Sequence, residues 1–191
     1  MFRLMRNVHL ALGVAFFFMA LLFAASSIVL IYRPWFPGGP EKATLTLQLQ
    51  RGADARQAAL ELMRGHGMKG DLRNVSGTPE TMQFMIWRPG THVQVVYRPE
   101  TGVARLETRR FNVYETLVQL HVNHGFWHDF LPANVWALLS LGVSIGMILL
   151  GATGIYLWWR HPQERVIGSV LLVFGFIVPV VALVVTRFQG N

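Results

Sequence analysis

The sequence predicts an integral membrane protein with three transmembrane helices and a small α+β domain inserted between the first and the second. Three long apolar segments occur in a chain of 191 residues, of which 52% are hydrophobic. Each segment is at least as long as the roughly 20 residues that a helix needs to cross a ~30 Å hydrocarbon core. The segment between the first two is polar and contains several short runs in which apolar and polar residues alternate, as they do in strands.

The first span is predicted within residues 1–32. The apolar part covers residues 8–31, and Arg3 and Arg6 precede it. A cleavable signal peptide has an apolar core of only ~7–15 residues, so this segment is too long for one. We therefore predict an uncleaved signal anchor whose N-terminus lies in the cytoplasm, because basic residues favour that side.

Residues 33–112 are predicted to form the inserted domain, outside the cytoplasm. The alternating segments predict strands over 44–49, 71–75, 82–87, 92–97 and 103–108. Apolar residues at helical spacing predict one helix over 53–64, with Gly65 and Gly67 behind it as stop signals. A domain of about 80 residues is near the lower limit for a self-supporting core.

The remaining chain is predicted to return to the membrane twice. We expect an interfacial helix over 113–132, a second span over 133–159, a cytoplasmic loop over 160–165, a third span over 166–187 and a tail over 188–191. Arg160 and Arg165 in the short loop agree with a cytoplasmic location, which places the C-terminus outside. Gly142 and Gly146 form a GxxxG pair, which predicts close contact with another helix.

The composition limits the chemistry of the chain. There is no cysteine, which excludes disulfides, iron–sulfur clusters and thiolate ligands to haem within this chain. The formal net charge is +7, but the basic residues are scattered and form no nucleic-acid-binding motif. We therefore attribute the charge to membrane topology and to contact with the lipid bilayer, and we expect no nucleic acid partner.

Three histidines just before the second apolar segment are the best candidates for a metal site. His121, His124 and His128 are spaced i, i+3 and i+7, so they share one face if the segment is a continuous helix. Such a face is suited to Zn²⁺ or Cu²⁺, with Asp129 as a possible further ligand. The alternative is an interfacial helix whose polar face happens to contain histidine. His66 and His92, by contrast, are expected to be solvated surface residues.

Several motifs together resemble the PepSY-associated transmembrane family, in its short three-helix branch. They are Arg6-Asn7-Val8-His9, the Tyr97-Arg98-Pro99-Glu100-Thr101-Gly102 turn, His121 with His124, and Thr153-Gly154 followed by Trp158-Trp159. The resemblance covers nearly the whole chain and implies a multi-pass protein of the bacterial inner membrane with a periplasmic PepSY-like domain. Larger relatives, built from two such units, bind b-type haem through helix histidines and reduce ferric siderophores.

The resemblance implies haem b, with His9 and His121 at matched positions and His124 from the short-branch pattern. A haem with two histidine ligands takes them from opposite sides of the ring, normally from different helices. His9 and His161 are expected at the same cytoplasmic level and are one candidate pair. A haem at the outer histidines would need a second copy of the chain, another subunit or a five-coordinate iron.

Two kinds of function remain open at this point. The first is a haem-b electron-transfer module related to ferric reductases, acting as a homo-oligomer or as a subunit of a larger membrane complex. It would need an external electron donor, because no flavin, nicotinamide, phosphate-binding or hydrolase motif occurs. The second is a cofactor-free accessory or regulatory subunit, or a periplasmic protein that binds zinc or copper. If the chain is part of an enzyme, that enzyme is an oxidoreductase.

Overall fold

The structure is a computed structural model that describes residues 1–36, 38–123, 125–126 and 129–188. It contains five α-helices, two short 3-10 helices and five strands in those ranges. The chain divides into two compact units. One consists of Met1–Phe18 and Val143–Asn191, and the other of Met19–Gly142.

Within the described residues, three helices are long and apolar enough to cross a membrane. They are α1 (Phe2–Ile31), α4 (Leu131–Trp159) and α5 (Arg165–Phe188), and each contains one of the predicted apolar segments. A 3-10 helix, Pro162–Glu164, lies in the loop between α4 and α5. These three helices confirm the predicted number of candidate spans and indicate a membrane protein.

A five-stranded antiparallel sheet lies between α1 and α4 in the sequence. Its strands are β1 (Glu41–Gln48), β2 (Asp71–Gly77), β3 (Met82–Arg88), β4 (Thr91–Arg98) and β5 (Val103–Arg110), in the order β1-β5-β4-β3-β2. Each corresponds to a predicted strand. One helix, α2 (Ala55–Gly65), follows β1. The Asp54 side chain accepts a hydrogen bond from the Gln57 backbone N–H, and the Gln57 side chain accepts one from the Asp54 backbone N–H, which fixes the start of α2.

The core of the sheet domain lies between one face of the sheet and α2. Alternate residues of β3, β4 and β5 are buried on this face and pack with Leu62 of α2; the largest are Phe84, Ile86, Val95, Tyr97 and Leu106. The Tyr97 hydroxyl also donates a hydrogen bond to the Gln50 carbonyl. The opposite face, here called the open face, contains Lys42, Thr44, Asp71, Arg73, Met85, Trp87, His92, Gln94, Glu107 and Arg109.

The two edges of the sheet differ in regularity. The pairing of β2 with β3 shifts between Arg73 and Ser76, where a bulge interrupts the ladder, and Asn74 there adopts a φ of 53°. The strand β1, by contrast, pairs with β5 without interruption over its whole length. Only one edge therefore has a regular, straight outer side.

Within the unit Met19–Gly142, the open face is the side that meets the later helices. Asp71 accepts a hydrogen bond of 3.0 Å from the Phe130 backbone, directly before α4 begins. The His92 ring lies 4.5 Å from the Phe111 ring, just before the helix α3 (Val113–Val122). The Gly90 backbone donates to the Gln119 side chain of α3 at 2.8 Å. These contacts fasten the sheet to α3 and to the beginning of α4.

The interfacial helix is shorter than the sequence predicts. Helix α3 ends at Val122, and the next residue, Asn123, is extended with φ −71° and ψ 130°. A continuous helix over 113–132 is therefore wrong, whereas the shared face of His121, His124 and His128 stays a prediction. Of these histidines, His124 and His128 lie outside the described residues.

The two glycines of the GxxxG pair have different surroundings. A Cβ added at Gly146 would overlap the Phe16 ring of α1, whereas one added at Gly142 would meet nothing within 4 Å. We therefore expect Gly146→Leu to lower the thermal unfolding midpoint of the full-length protein in detergent, at a cost of about 1–3 kcal/mol from overpacking. The matched control is Gly142→Leu, and equal shifts for both variants would contradict this packing.

Candidate functional site

His9 is held in α1 by a hydroxyl group of α4. Its Nδ1 atom lies 2.9 Å from Thr153 Oγ1, and that hydroxyl donates to the Leu149 carbonyl at 2.7 Å. A hydroxyl has only one proton, so its oxygen accepts the Nδ1–H of the neutral His9 ring. The Nε2 atom of His9 then carries the lone pair, which is the form of histidine that binds a metal.

The His9 ring borders an apolar groove on the surface of α1. The groove has a volume of about 330 Å³ and is lined by His9, Leu10, Gly13, Val14 and Phe17. On the other side, the Gly154 backbone approaches the ring so closely that a Cβ there would lie 3.4 Å from His9 Cε1. An ionisable side chain inside a candidate span, oriented by a buried hydroxyl and bordered by an open groove, is a candidate ligand.

His121 is held by a similar arrangement at the end of α3. Its Nδ1 atom lies 2.7 Å from Ser26 Oγ, and this buried hydroxyl donates to the Phe23 carbonyl at 2.9 Å. Because the one hydroxyl proton of Ser26 goes to Phe23, the Ser26 oxygen accepts the Nδ1–H of the neutral His121 ring. The ring also lies edge-on to Phe23, which stacks against Trp136. His121 therefore ties α3 to α1.

The space around His121 is much smaller than the groove at His9. The cavity bordered by His121, Ser26, Phe23 and Trp136 has a volume of only about 10 Å³. This is at the lower limit for a single water molecule. As it stands, the site has no room for a haem, and ligation by His121 stays a prediction.

The other predicted ligands do not assemble into a cluster in the described part of the chain. The His161 ring lies 6.1 Å from Phe2, roughly two helical turns before His9 in α1. In the described residues, the His9 ring and the His161 ring do not contact each other. The pairing of His9 with His161 therefore stays a prediction. A group of three His, Cys, Asp or Glu residues suited to a metal is likewise absent from those ranges, which include His121 and Asp129 but neither His124 nor His128.

The hydroxyl partners of His9 and His121 were not assigned by the sequence analysis. Ser26 and Thr153 are each buried, and each contacts a histidine on a different helix far away in the sequence. In the sequence, both stand out only as small polar residues in otherwise apolar segments. Such residues often form hydrogen bonds between helices, but periodicity alone does not identify the partner.

His92 is not a solvated surface residue, which corrects the expectation for it. Its ring is half-buried between Trp87 and Phe111, at 5.6 and 4.5 Å from their centroids. Burial lowers the pKa of His92 below its ordinary value of 6.5; the Gln119 side chain raises it, and the charges of Arg109 and Arg73 lower it further. His66 is exposed, as expected.

The lowered pKa of His92 predicts a loss of stability in acid. In the unfolded chain His92 takes up a proton near pH 6.5, whereas the folded domain resists protonation until a lower pH. The free energy of unfolding is therefore unaffected by this group above pH 6.5 and falls as the pH drops from there towards the folded pKa. Thermal unfolding of the full-length protein at pH 7.5 and 5.5 measures this. We expect a smaller pH effect in His92→Gln, and an unchanged one would contradict the assignment.

Comparison with known proteins adds no relative to this description. Neither a protein family, nor a curated protein, nor a solved structure matches the chain. The fold itself defines the class, a membrane protein with three candidate spans and a five-stranded antiparallel sheet between the first two.

Proposed function

We propose that this protein is a haem-b-binding electron-transfer subunit of the bacterial inner membrane, of the short PepSY-associated type. The proposal rests on the surroundings of His9. Its Nδ1 is hydrogen-bonded to Thr153, and its ring borders an apolar groove in a candidate span. A histidine oriented in this way presents Nε2, the atom that binds haem iron.

The residues around His9 fit one side of a haem. His9 would bind the iron, and Leu10, Val14 and Phe17 would lie against the apolar porphyrin, with Gly13 leaving space beside them. Haem supplies one-electron transfer when bound. Pairing of His9 with His161 across the haem stays a prediction, and another polypeptide would be the alternative source of a second imidazole.

The proposed topology places the basic N-terminus and the Arg160–Arg165 loop in the cytoplasm. The sheet domain and the C-terminus then lie in the periplasm, because three spans separate the two ends. Electrons would enter from a separate donor and leave towards an oxidised acceptor such as ferric iron. The protein would work as a component of an oxidoreductase rather than as a complete enzyme.

The absorption spectrum of the full-length protein tests this function. Protein extracted in detergent from haem-replete cells should show a Soret band that shifts when dithionite is added. The same protein prepared without haem should develop that band on titration with hemin, with saturation near one haem per chain or per pair of chains. Protein that stays colourless in both preparations would overturn the proposal.

A second candidate function is a cofactor-free accessory subunit, which the surroundings of His121 favour. There the His121 ring fills the available space, and its hydrogen bond to the Ser26 hydroxyl joins two helices. The cavity beside it has no room for a ligand. This function predicts stable partner proteins that co-purify from native membranes and are retained in His9→Ala. A periplasmic zinc or copper site at His121, His124 and His128 would instead appear in calorimetric titration with either metal.

A further inference from the structure

The strand β1 has an exposed outer edge with an apolar residue at its centre. Leu45 lies on the core face of the sheet, yet 52% of it is exposed, whereas its neighbour Leu106 in β5 is fully buried. Helix α2 lies over β3 and β2, towards the opposite edge of the sheet, and leaves the centre of β1 uncovered. An exposed, regular edge strand with apolar side chains is a site at which another strand can add.

The hydrogen-bonding direction along β1 can be read from its register. The Leu49 backbone donates to the Gly102 carbonyl at 2.8 Å, so the odd-numbered residues of β1 direct their N–H and C=O groups towards β5. The even-numbered residues direct theirs outwards; these are Lys42, Thr44, Thr46 and Gln48. Their outward backbone groups have no protein partner in the part of the chain that the structure describes.

The opposite edge of the sheet does not offer such a site. The bulge between Arg73 and Ser76 and the positive φ of Asn74 interrupt the outer side of β2. Bulges of this kind are a common way to prevent unwanted pairing at an edge. Of the two edge strands, only β1 therefore has a regular outer edge. This edge is suited to pairing with a specific strand.

We propose that the occupant is a second copy of this chain, whose β1 pairs antiparallel with the first about a two-fold axis at Leu45. The two five-stranded sheets would join into one continuous sheet. Leu45 would face the partner's Leu45 in a pair without hydrogen bonds, because its own backbone groups point to β5. This proposal does not depend on the binding of haem.

The sequence of β1 is complementary to itself in this register. Thr44 would lie opposite the partner's Thr46, and Thr–Thr pairs are favourable across strands. Lys42 would lie opposite the partner's Gln48. The charged residues Glu41 and Lys42 occur only at the beginning of the strand, so pairing brings no like charges face to face.

The two-fold axis also agrees with insertion of both copies into one membrane. An axis at the centre of an antiparallel strand pair is normal to the sheet, so both open faces stay on the same side. The open face is the one that meets α3 and the beginning of α4 in each copy. Both copies would therefore send their α4 helices away from the same side of the joined sheet.

A single cysteine at position 45 tests the proposed register, because the natural chain has none. In a non-hydrogen-bonded pair the two Cα atoms are ~4.5 Å apart, and this lies within the range of about 4.4–6.8 Å that disulfides require. Full-length Leu45→Cys, oxidised in native membranes, should form a disulfide-linked dimer. The control Val75→Cys, at an exposed position of β2, should stay monomeric on non-reducing gels.

A proline in β1 distinguishes loss of the dimer contact from loss of folding. The Thr44 N–H points outwards, so Thr44→Pro removes a donor from the dimer contact without removing one from the β1–β5 ladder. Native mass spectrometry should show a dimer for the natural chain and a monomer for Thr44→Pro, with unchanged circular dichroism. A monomeric natural chain, a dimer that survives Thr44→Pro, or a Leu45→Cys disulfide to another protein would each overturn the proposal.

Discussion

Replacing His9 with alanine is expected to abolish haem binding, so that the purified protein loses its Soret band. The reason is that His9 is the imidazole whose Nδ1 is fixed by Thr153 and whose ring borders the apolar groove of α1. Hemin titration followed by absorption measures the loss. His66→Ala, at an exposed position of the sheet domain, is the control and should bind haem like the natural chain.

Thr153 provides a finer test, because it acts on haem only through His9. In Thr153→Val the side chain keeps its volume but no longer accepts the Nδ1–H of His9. Loss of such a hydrogen-bond partner of a ligating histidine typically lowers the affinity for the bound group by about 10–100-fold. Thr153→Ser keeps the hydroxyl and should restore most of the affinity. A Soret band that survives His9→Ala, or equal affinities for the valine and serine variants, would show that this histidine is structural.

The second large effect is expected from Phe84→Ala in the core of the sheet domain. Phe84 is 2% exposed and belongs to the cluster between the sheet and α2. Truncation of a buried phenylalanine costs about 3–5 kcal/mol, which is a large fraction of the stability of so small a domain. Limited trypsin digestion of the full-length protein should then cleave the sheet domain rapidly.

Val75→Ala is the matched control for this substitution. Val75 lies in the same sheet but is 56% exposed, so its truncation should change the free energy of unfolding by less than about 0.5 kcal/mol. If Phe84→Ala resisted digestion as well as Val75→Ala, the core would not be packed as the structure shows.

The spans and strands could be predicted because their signals are local. Continuous apolar segments set the three long helices, and alternation set each of the five strands within a few residues of its observed bounds. The end of α3 at Val122 was missed because its sequence keeps a helical pattern beyond that point. The extended Asn123 and Gly125, with a φ of 85°, are both helix stop signals, but the prediction followed the helical spacing of the histidines instead.

The candidate site could be predicted only in part, since its contacts join distant parts of the chain. His9 is conspicuous in the sequence as an ionisable residue within an apolar segment. Its bond to Thr153, and the bond of His121 to Ser26, depend on how helices pack, which single-sequence patterns do not specify. The burial of His92 was missed for the same reason, because Phe111 and Gln119 cover it from outside its own strand.

The bulge at Asn74 also determines how far the sheet can grow. A protein with two regular edges can add copies at both and extend into a fibre. With β2 interrupted, each chain has a single site of addition, and a symmetric contact there uses the same strand on both molecules. The association proposed for β1 would therefore end at two chains.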